Sequence, residues 1–451
     1  MSGVKTEGTK KSLSTIVSDL TRPLKRHYGF KPWILLLLTI MLVGIAGYIK
    51  QLNNGLVETS MRDYVSWGLY IASFIFFIAT ALVGMLISAV LGLIGIKWIT
   101  PIARIAEMIA LGFAMWAGLI IIFDMGRPDR VLNLFIYGRL QSPIVWDVTV
   151  VTTYVAISLL LYLLPLIPDM PFLKKVMKGE AKWKQKVYKI LSFGFEGRPE
   201  QYKLIRKLIR ILAILIIPVA LAIHTVTSWL FAFTLRVGWD STIFGPYYVT
   251  GAFVAGGGAV MAAMYVFRTD FRLKNYITDF HFDKMGKLLV LLMLVYLYFN
   301  INEYIVPAYK MKAGDDHHIL ALFTGSFAQM FWTVQLGGLI IPTILLLFKR
   351  MRKPLPSLFI GIAIVVGAFF KRYIITIPTL MHPHLPIQNV PAEFHEYWPS
   401  AIEWSVTMMA IAGAILIVTI LAKLFPVIPI WEIAHEEGIT EQEMNEYVEE
   451  A

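Results

Sequence analysis

Apolar positions in this chain come in long blocks, not with a short period. Ten blocks stand out, at about 33–49, 66–96, 99–123, 143–167, 208–235, 246–267, 287–308, 318–348, 355–378 and 401–422. Each is close to or above the ~20 residues that carry a helix across the hydrocarbon core of a bilayer. Because lipid offers no partner for a peptide group, such runs predict helices that satisfy their own backbone. The pattern therefore predicts an all-α integral membrane protein with about ten transmembrane helices. Residues 1–32 read as a polar, basic tail without the apolar core of a signal peptide, residues 33–422 as one polytopic membrane domain, and residues 423–451 as an acidic C-terminal tail.

Composition supports this frame, with 57% hydrophobic and 16% charged residues. The net charge of +11 would suit a nucleic-acid binder, but its distribution points elsewhere. Of the 41 lysines and arginines, 30 fall in the tails and connections on one side of the ten spans and 8 on the other. The positive-inside rule then puts both termini in the cytoplasm. The basic surplus is a topology signal and an attraction to anionic lipid, and no nucleic-acid partner is expected.

Charges inside the spans carry the candidate chemistry. An ionisable group at mid-membrane costs roughly 2.5–3.5 kcal/mol or more, so it faces a protein interior or a water-filled path. The stretch from Arg104 to Asp169 concentrates such groups: Arg104 and Glu107 within the third span, Asp124 and Arg127 at its outer lip, and Asp147 one turn into the fourth. Proton or ligand chemistry is one reading. The other is mutual neutralisation of Arg104 and Glu107, which stand at i,i+3. Counting depth at ~1.5 Å per residue, His224, Asn300, Glu303, Lys371, Arg372 and Glu403 all lie in the outer half. Glu107 is the exception on the cytoplasmic side, with Gln335 expected at similar depth. Trp116, Trp146, Trp229, Tyr248 and Tyr304 frame the outer group, and each also fits an ordinary interfacial belt.

The chain contains no cysteine, which excludes disulfides, thiolate nucleophiles and thiolate-bound iron–sulfur clusters from it. Only His224 of the nine histidines lies well inside a span, so a haem held by two in-span histidines is not expected. His382, His384 and His395 share one outer loop in a weak metal pattern, better read as a solvated surface facing a partner.

An ordered set of segments then carries a family resemblance: DMGRP, SPIVWD followed by Tyr and IPD, IHTVTSWLFAFTLRVGWDSTIFGPYYVTGAFVAGG, YLYFNINEYIVPAY, PAEFHEYWPSAIEW and KLFPVIPIWE. Together they resemble the NrfD/PsrC family of polysulfide-reductase-type membrane subunits. The ten-helix branch matches best, as in the alternative complex III subunits, HybB and the sulfite-reductase-linked DsrP. The chain departs from the family's pattern at Asp124-Met125, Leu230 and Asp240. The resemblance implies two four-helix bundles plus peripheral helices, with both termini cytoplasmic. It also implies a haem-free subunit of a membrane redox complex that binds menaquinone or another quinone near the outer face. Electrons would pass between that quinone and an iron–sulfur subunit docked outside, so the chain would not be catalytic alone.

Quinol oxidation releases two protons and two electrons, so a site needs proton acceptors within about 3 Å of the hydroxyls. A carboxylate shielded from water and an imidazole both serve. Asp147 and His224 are the expected catalytic pair. Asp124, Arg127, Glu303 and Lys371 complete the expected quinone-binding set, and Glu107 and Arg104 are candidates for a proton path. The outer loops 124–142 and 379–400 are the candidate docking surfaces. A secondary transporter is the alternative reading, since glycine-rich spans such as GAFVAGGGAV occur in broken transporter helices.

Overall fold

The computed structural model of the chain describes residues 11–25, 29–179, 181–234, 236–312, 314–383 and 387–449. Among these, ten helices are long and apolar enough to cross a membrane: α1 Phe30–Asn54, α2 Leu69–Leu93, α3 Lys97–Asp124, α4 Pro143–Val176, α5 Pro199–Ala232, α6 Phe244–Asp270, α7 Asp279–Lys310, α8 Ala328–Leu347, α9 Pro354–Met381 and α10 Ala401–Leu424. Their number agrees with the ten apolar runs. Helix pairing sorts them into two four-helix bundles, α2–α5 and α6–α9, joined where α2 and α5 pack on α6 and α9. The pair α1 and α10 lies outside, against α3.

Hydropathy does not reveal this arrangement. The most apolar stretch of α2 is 83% buried, whereas that of α1 is 11% buried. Lipid tails are as apolar as a leucine core, so membrane helices associate by close packing and interhelical hydrogen bonds. Gly44 shows this for α1 and α10: a Cβ there would stand 2.3 Å from Met409 Cβ.

The eighth apolar run departs from expectation. It is not one span from 318 to 348 but a short helix, Asp315–Phe323, then a break, then α8. Thr324 and Gly325 both turn their N–H groups back to Leu320 O, which ends the first helix. This shifts Gln335 to the half of the membrane away from the tails, where its Oε1 accepts from Asn300 Nδ2 at 2.7 Å. Gln335 is therefore no neighbour of Glu107. Both α2 and α8 contain a π-helical turn, Met85–Val90 and Val334–Ile340, a feature found often at functional positions.

The two tail segments cover one face together. Helix Leu13–Lys25 buries Ile16, Val17, Leu20 and Leu24, and packs on the helix Ile430–Glu436. Residues 1–10 of the basic tail lie outside the described residues.

Candidate functional site

Asp147 and His224 come from facing helices of the first bundle, α4 and α5. Pro143 opens α4 at its N-terminus, where a missing N–H costs nothing, and Asp147 follows one turn in, buried. Thr227 lies one turn from His224 on the same face of α5 and donates from Oγ1 to Asp147 Oδ1 at 2.5 Å. His224 is buried, and neither Nδ1 nor Nε2 has a hydrogen-bond partner among the described residues. Its electrostatic neighbour is Arg372 of α9, across the bundle junction. Arg372 fits because position 251 is glycine: a Cβ there would meet the guanidinium at 2.7 Å. That guanidinium lies 5.4 Å from the Tyr248 ring, and among the described residues its Nε and the Tyr248 hydroxyl are both without partners. Phe231, Trp239 and Trp67 close this region with ring centroids 4.8–6.0 Å apart.

Behind Arg372 the second bundle holds a connected polar network. Lys371 pairs with Glu303 at 3.1 Å and donates to the Tyr304 hydroxyl. Tyr247 donates to Asn300 Oδ1 at 2.9 Å, and Tyr296 stacks on Tyr247 at 5.0 Å and receives Arg372 Nη1 at 3.5 Å. A cavity of about 20 Å³ between Gly251, Gln335, Lys371 and Arg372 has room for roughly one water. On the lipid side of α5, Leu221, Thr225 and Trp229 face Gly245 and Pro246 across a cleft of about 550 Å³.

The expected set is thus divided. Asp147 and His224 stand on facing helices, joined through Thr227 one turn along α5, and Lys371 pairs with Glu303 in the adjoining bundle, next in sequence to the Arg372 that neighbours His224. Asp124 stands apart at the end of α3, beside Glu403. Arg127 is not a counter-charge in the pocket. It is exposed and forks onto Asp129 at 2.9 and 3.0 Å, because the chain leaves α3 at Met125 and carries Arg127 into solvent.

The i,i+3 pair Arg104–Glu107 does not form either. Arg104 turns to Asp169 at 2.7 Å and to the carbonyls of Pro165 and Pro426, each at 3.0 Å. A carboxylate and two carbonyls satisfy a buried guanidinium more fully than one acid could. Glu107 instead accepts from Ser88 in the π-turn of α2. Of the outer-loop histidines, His395 packs on Tyr64 at 4.5 Å and His382 lies 6.3 Å from His318, while His384 is outside the described residues. Among the described residues no group of three or more metal-ligating side chains is gathered.

Sequence reasoning gave no role to three residues that organise these regions. Thr227 was readable as i+3 from His224. Asp169 also caps the helix Ile430–Glu436, accepting from Ile430 N and Trp431 N at 3.1 Å. Glu403 sits fully buried and accepts from Ser60 N, Ser400 N and the Tyr397 hydroxyl at 2.9, 2.9 and 2.5 Å. Its signal was Ser400-x-x-Glu403, a capping box.

These features define a ten-helix membrane protein of two bundles with a shielded acid–imidazole pair at their junction. The chain belongs to the polysulphide reductase NrfD family, whose pattern matches residues 57–384, and is a multi-pass protein of the cell membrane. It is 28% identical over 366 residues to a putative dimethyl sulfoxide reductase membrane subunit of Halobacterium salinarum, covering 78% of each chain. It is 26% identical to a selenate reductase subunit of Mesobacillus selenatarsenatis, covering 86% of this chain and 92% of that one. A third relative is the Hdr-like menaquinol oxidoreductase integral membrane subunit of Archaeoglobus fulgidus, 24% identical with 90% and 95% covered.

Proposed function

We propose that this chain is the quinone-reactive membrane subunit of a respiratory oxidoreductase, with menaquinone as its quinone. The observation that carries the reading is the Asp147–Thr227–His224 group: an acid held only by a hydroxyl among the described residues, one turn from an imidazole whose two nitrogens are uncommitted. A quinone headgroup has two oxygens that must be hydrogen-bonded, and the partnerless atoms of His224, Tyr248 and Arg372 fit that demand. The names of the Archaeoglobus and Mesobacillus relatives, a menaquinol oxidoreductase subunit and a selenate reductase subunit, agree with it. The quinone couple, when bound, supplies two electrons and two protons.

The chain's own residues bind, orient and move protons. His224 is placed to hydrogen-bond one oxygen of the headgroup, and Asp147 to take or return a proton through the Thr227 hydroxyl. The aromatic cluster of Phe231, Trp239 and Trp67 keeps water out, and the cleft beside Trp229 offers the lipid-soluble tail a way in from the bilayer. With no cysteine in the chain, electrons pass to an iron–sulfur subunit docked on the face away from the tails. The loop after α3 suits that contact, since it exposes Leu132, Phe135, Ile136, Tyr137 and Leu140 beside Arg130. Glu107 is a proton station on the tail side, and the basic tail side faces the cytoplasm.

The test is extraction of the purified native complex. Co-purified menaquinone, together with electron transfer that depends on added menaquinol, is the expected result. A complex that contains no quinone and ignores menaquinol would overturn the reading.

A further inference from the structure

Between α4 and α5 the chain forms one further helix, Lys182–Leu191. Residues 181–195 hold four lysines and no acidic residue. At 3.6 residues per turn the side chains of this helix sort into strips. Lys184 and Tyr188, one turn apart, form its buried side. Trp183 and Ile190, two turns apart, share one outer flank and are 54% and 58% exposed. Lys182 and Lys189, also two turns apart, share the other, and Lys186 stands between the flanks, opposite the buried side; all three are exposed. Among the described residues none of these three lysines meets a carboxylate at ion-pair distance. The helix closes on Phe193, whose N–H donates to Ile190 O at 3.2 Å and whose φ is +45°. A left-handed residue just past a helix end is usually glycine. Here it is a phenylalanine with 70% of its surface exposed, a backbone cost that packing inside this chain does not offset.

The buried side fixes the depth of this helix. Tyr188 Oη donates to Leu424 O at 3.0 Å, at the last residue of α10. The Tyr188 ring lies 6.4 Å from that of Phe425, which in turn lies 6.4 Å from that of Tyr162. Tyr162 stands next to Leu163, where the regular α-helix that began at Pro143 ends. Those 21 residues cover about 31 Å, against about 30 Å for the hydrocarbon core. The helix Lys182–Leu191 is therefore level with the ends of two spans, where acyl chains give way to headgroups. At that depth an outward tryptophan, isoleucine and phenylalanine sit among acyl carbons while lysines reach the phosphates. The same three apolar side chains placed in water would gain nothing from their exposure.

We propose that the helix Lys182–Leu191, with Phe193, is an interfacial binding site for an anionic phospholipid of the tail-side leaflet. Trp183, Ile190 and Phe193 enter the acyl region, and Lys182, Lys186 and Lys189 hold the phosphate. Charge complementarity favours this occupant, since three lysines unopposed by an acid face a surface that carries negative charge, and each such lysine contributes about 5-fold in affinity. A soluble phosphate would leave the three apolar side chains in water. The bound lipid braces the place where α4 and α10 end, because the helix it holds is tied to Leu424 through Tyr188. This site is independent of the quinone reading.

The absence of cysteine allows a direct test on the full chain. Ile190→Cys, carrying a fluorescent dye, is reconstituted in vesicles of phosphatidylcholine and phosphatidylglycerol. Bromine, a contact quencher, is placed on the acyl chains of one lipid or the other. Both brominated lipids should quench the dye, and the site should select phosphatidylglycerol by about 5-fold or more at equal mole fraction. Changing Lys182, Lys186 and Lys189 together to glutamine should remove that preference. Changing the same three to arginine should keep it, which separates lost charge from misfolding. Inorganic phosphate added at constant ionic strength should leave the preference intact. A dye quenched by neither lipid, or equally by both in the chain with its lysines unaltered, would overturn the site. Loss of the preference on adding inorganic phosphate would make it a soluble-anion site and overturn the lipid. A dye quenched in the isolated chain but shielded from lipid in the native complex would put a protein subunit there instead.

Discussion

The two four-helix bundles treat buried polarity in opposite ways. In the second, Lys371 has Glu303, Asn300 has Gln335 and Tyr247, and Arg372 lies between two tyrosines. In the first, Arg104 has Asp169 at the tail-side end, but farther in Asp147 is held by Thr227 and Glu107 by Ser88, each a hydroxyl. Each bundle also uses a π-turn to present one polar side chain inward, Ser88 in α2 and Gln335 in α8. The difference is what happens on protonation. An acid held by a hydroxyl takes up a proton without stranding a counter-ion, whereas protonating Glu303 would leave Lys371 charged in an apolar surround. Among the described residues the first bundle leaves Asp147 and Glu107 without a cation at ion-pair distance, whereas the second sets the guanidinium of Arg372 beside His224.

That contrast can be broken by substitution. Asp147→Asn keeps the size of the side chain but not its titration, and should lower menaquinol turnover by about 10²–10⁴-fold with thermal stability unchanged. Equal turnover across pH 6–8 would reduce Asp147 to a structural hydrogen bonder. Lys371→Met should act the other way. It leaves Glu303 buried and alone, at a cost of about 3–5 kcal/mol, read as a fall in unfolding temperature in detergent. Adding Glu303→Gln should return most of that stability, and failure to do so would mean that the pair is not what Lys371 supports. Smallest is the effect at Glu432, outside the spans. Its folded value near 8 lies above the ordinary 4.5, so the folded state binds more protons than the unfolded one between those values. Stability should therefore decline as pH rises from about 4.5 to 8, and Glu432→Gln should flatten that slope. An unchanged slope would assign it to other groups.

The sequence by itself determined the count of spans, the side on which basic residues gather, the acids and the histidine that must be shielded from lipid, and the family. Each follows from a one-dimensional quantity: apolar length, charge per connection, or the order of motifs. It did not determine which way each helix faces. A membrane helix is apolar all round, so nothing in α1 or α2 says that one meets lipid and the other the core of the protein. For the same reason the partner of Arg104 was not legible. Glu107 is near in sequence, but Asp169 arrives only when α4 and the segment after α10 fold onto α3. Tertiary structure decided these points because a buried charge is satisfied by whatever donors reach it in space, and in a bundle of long helices those donors come from distant parts of the chain.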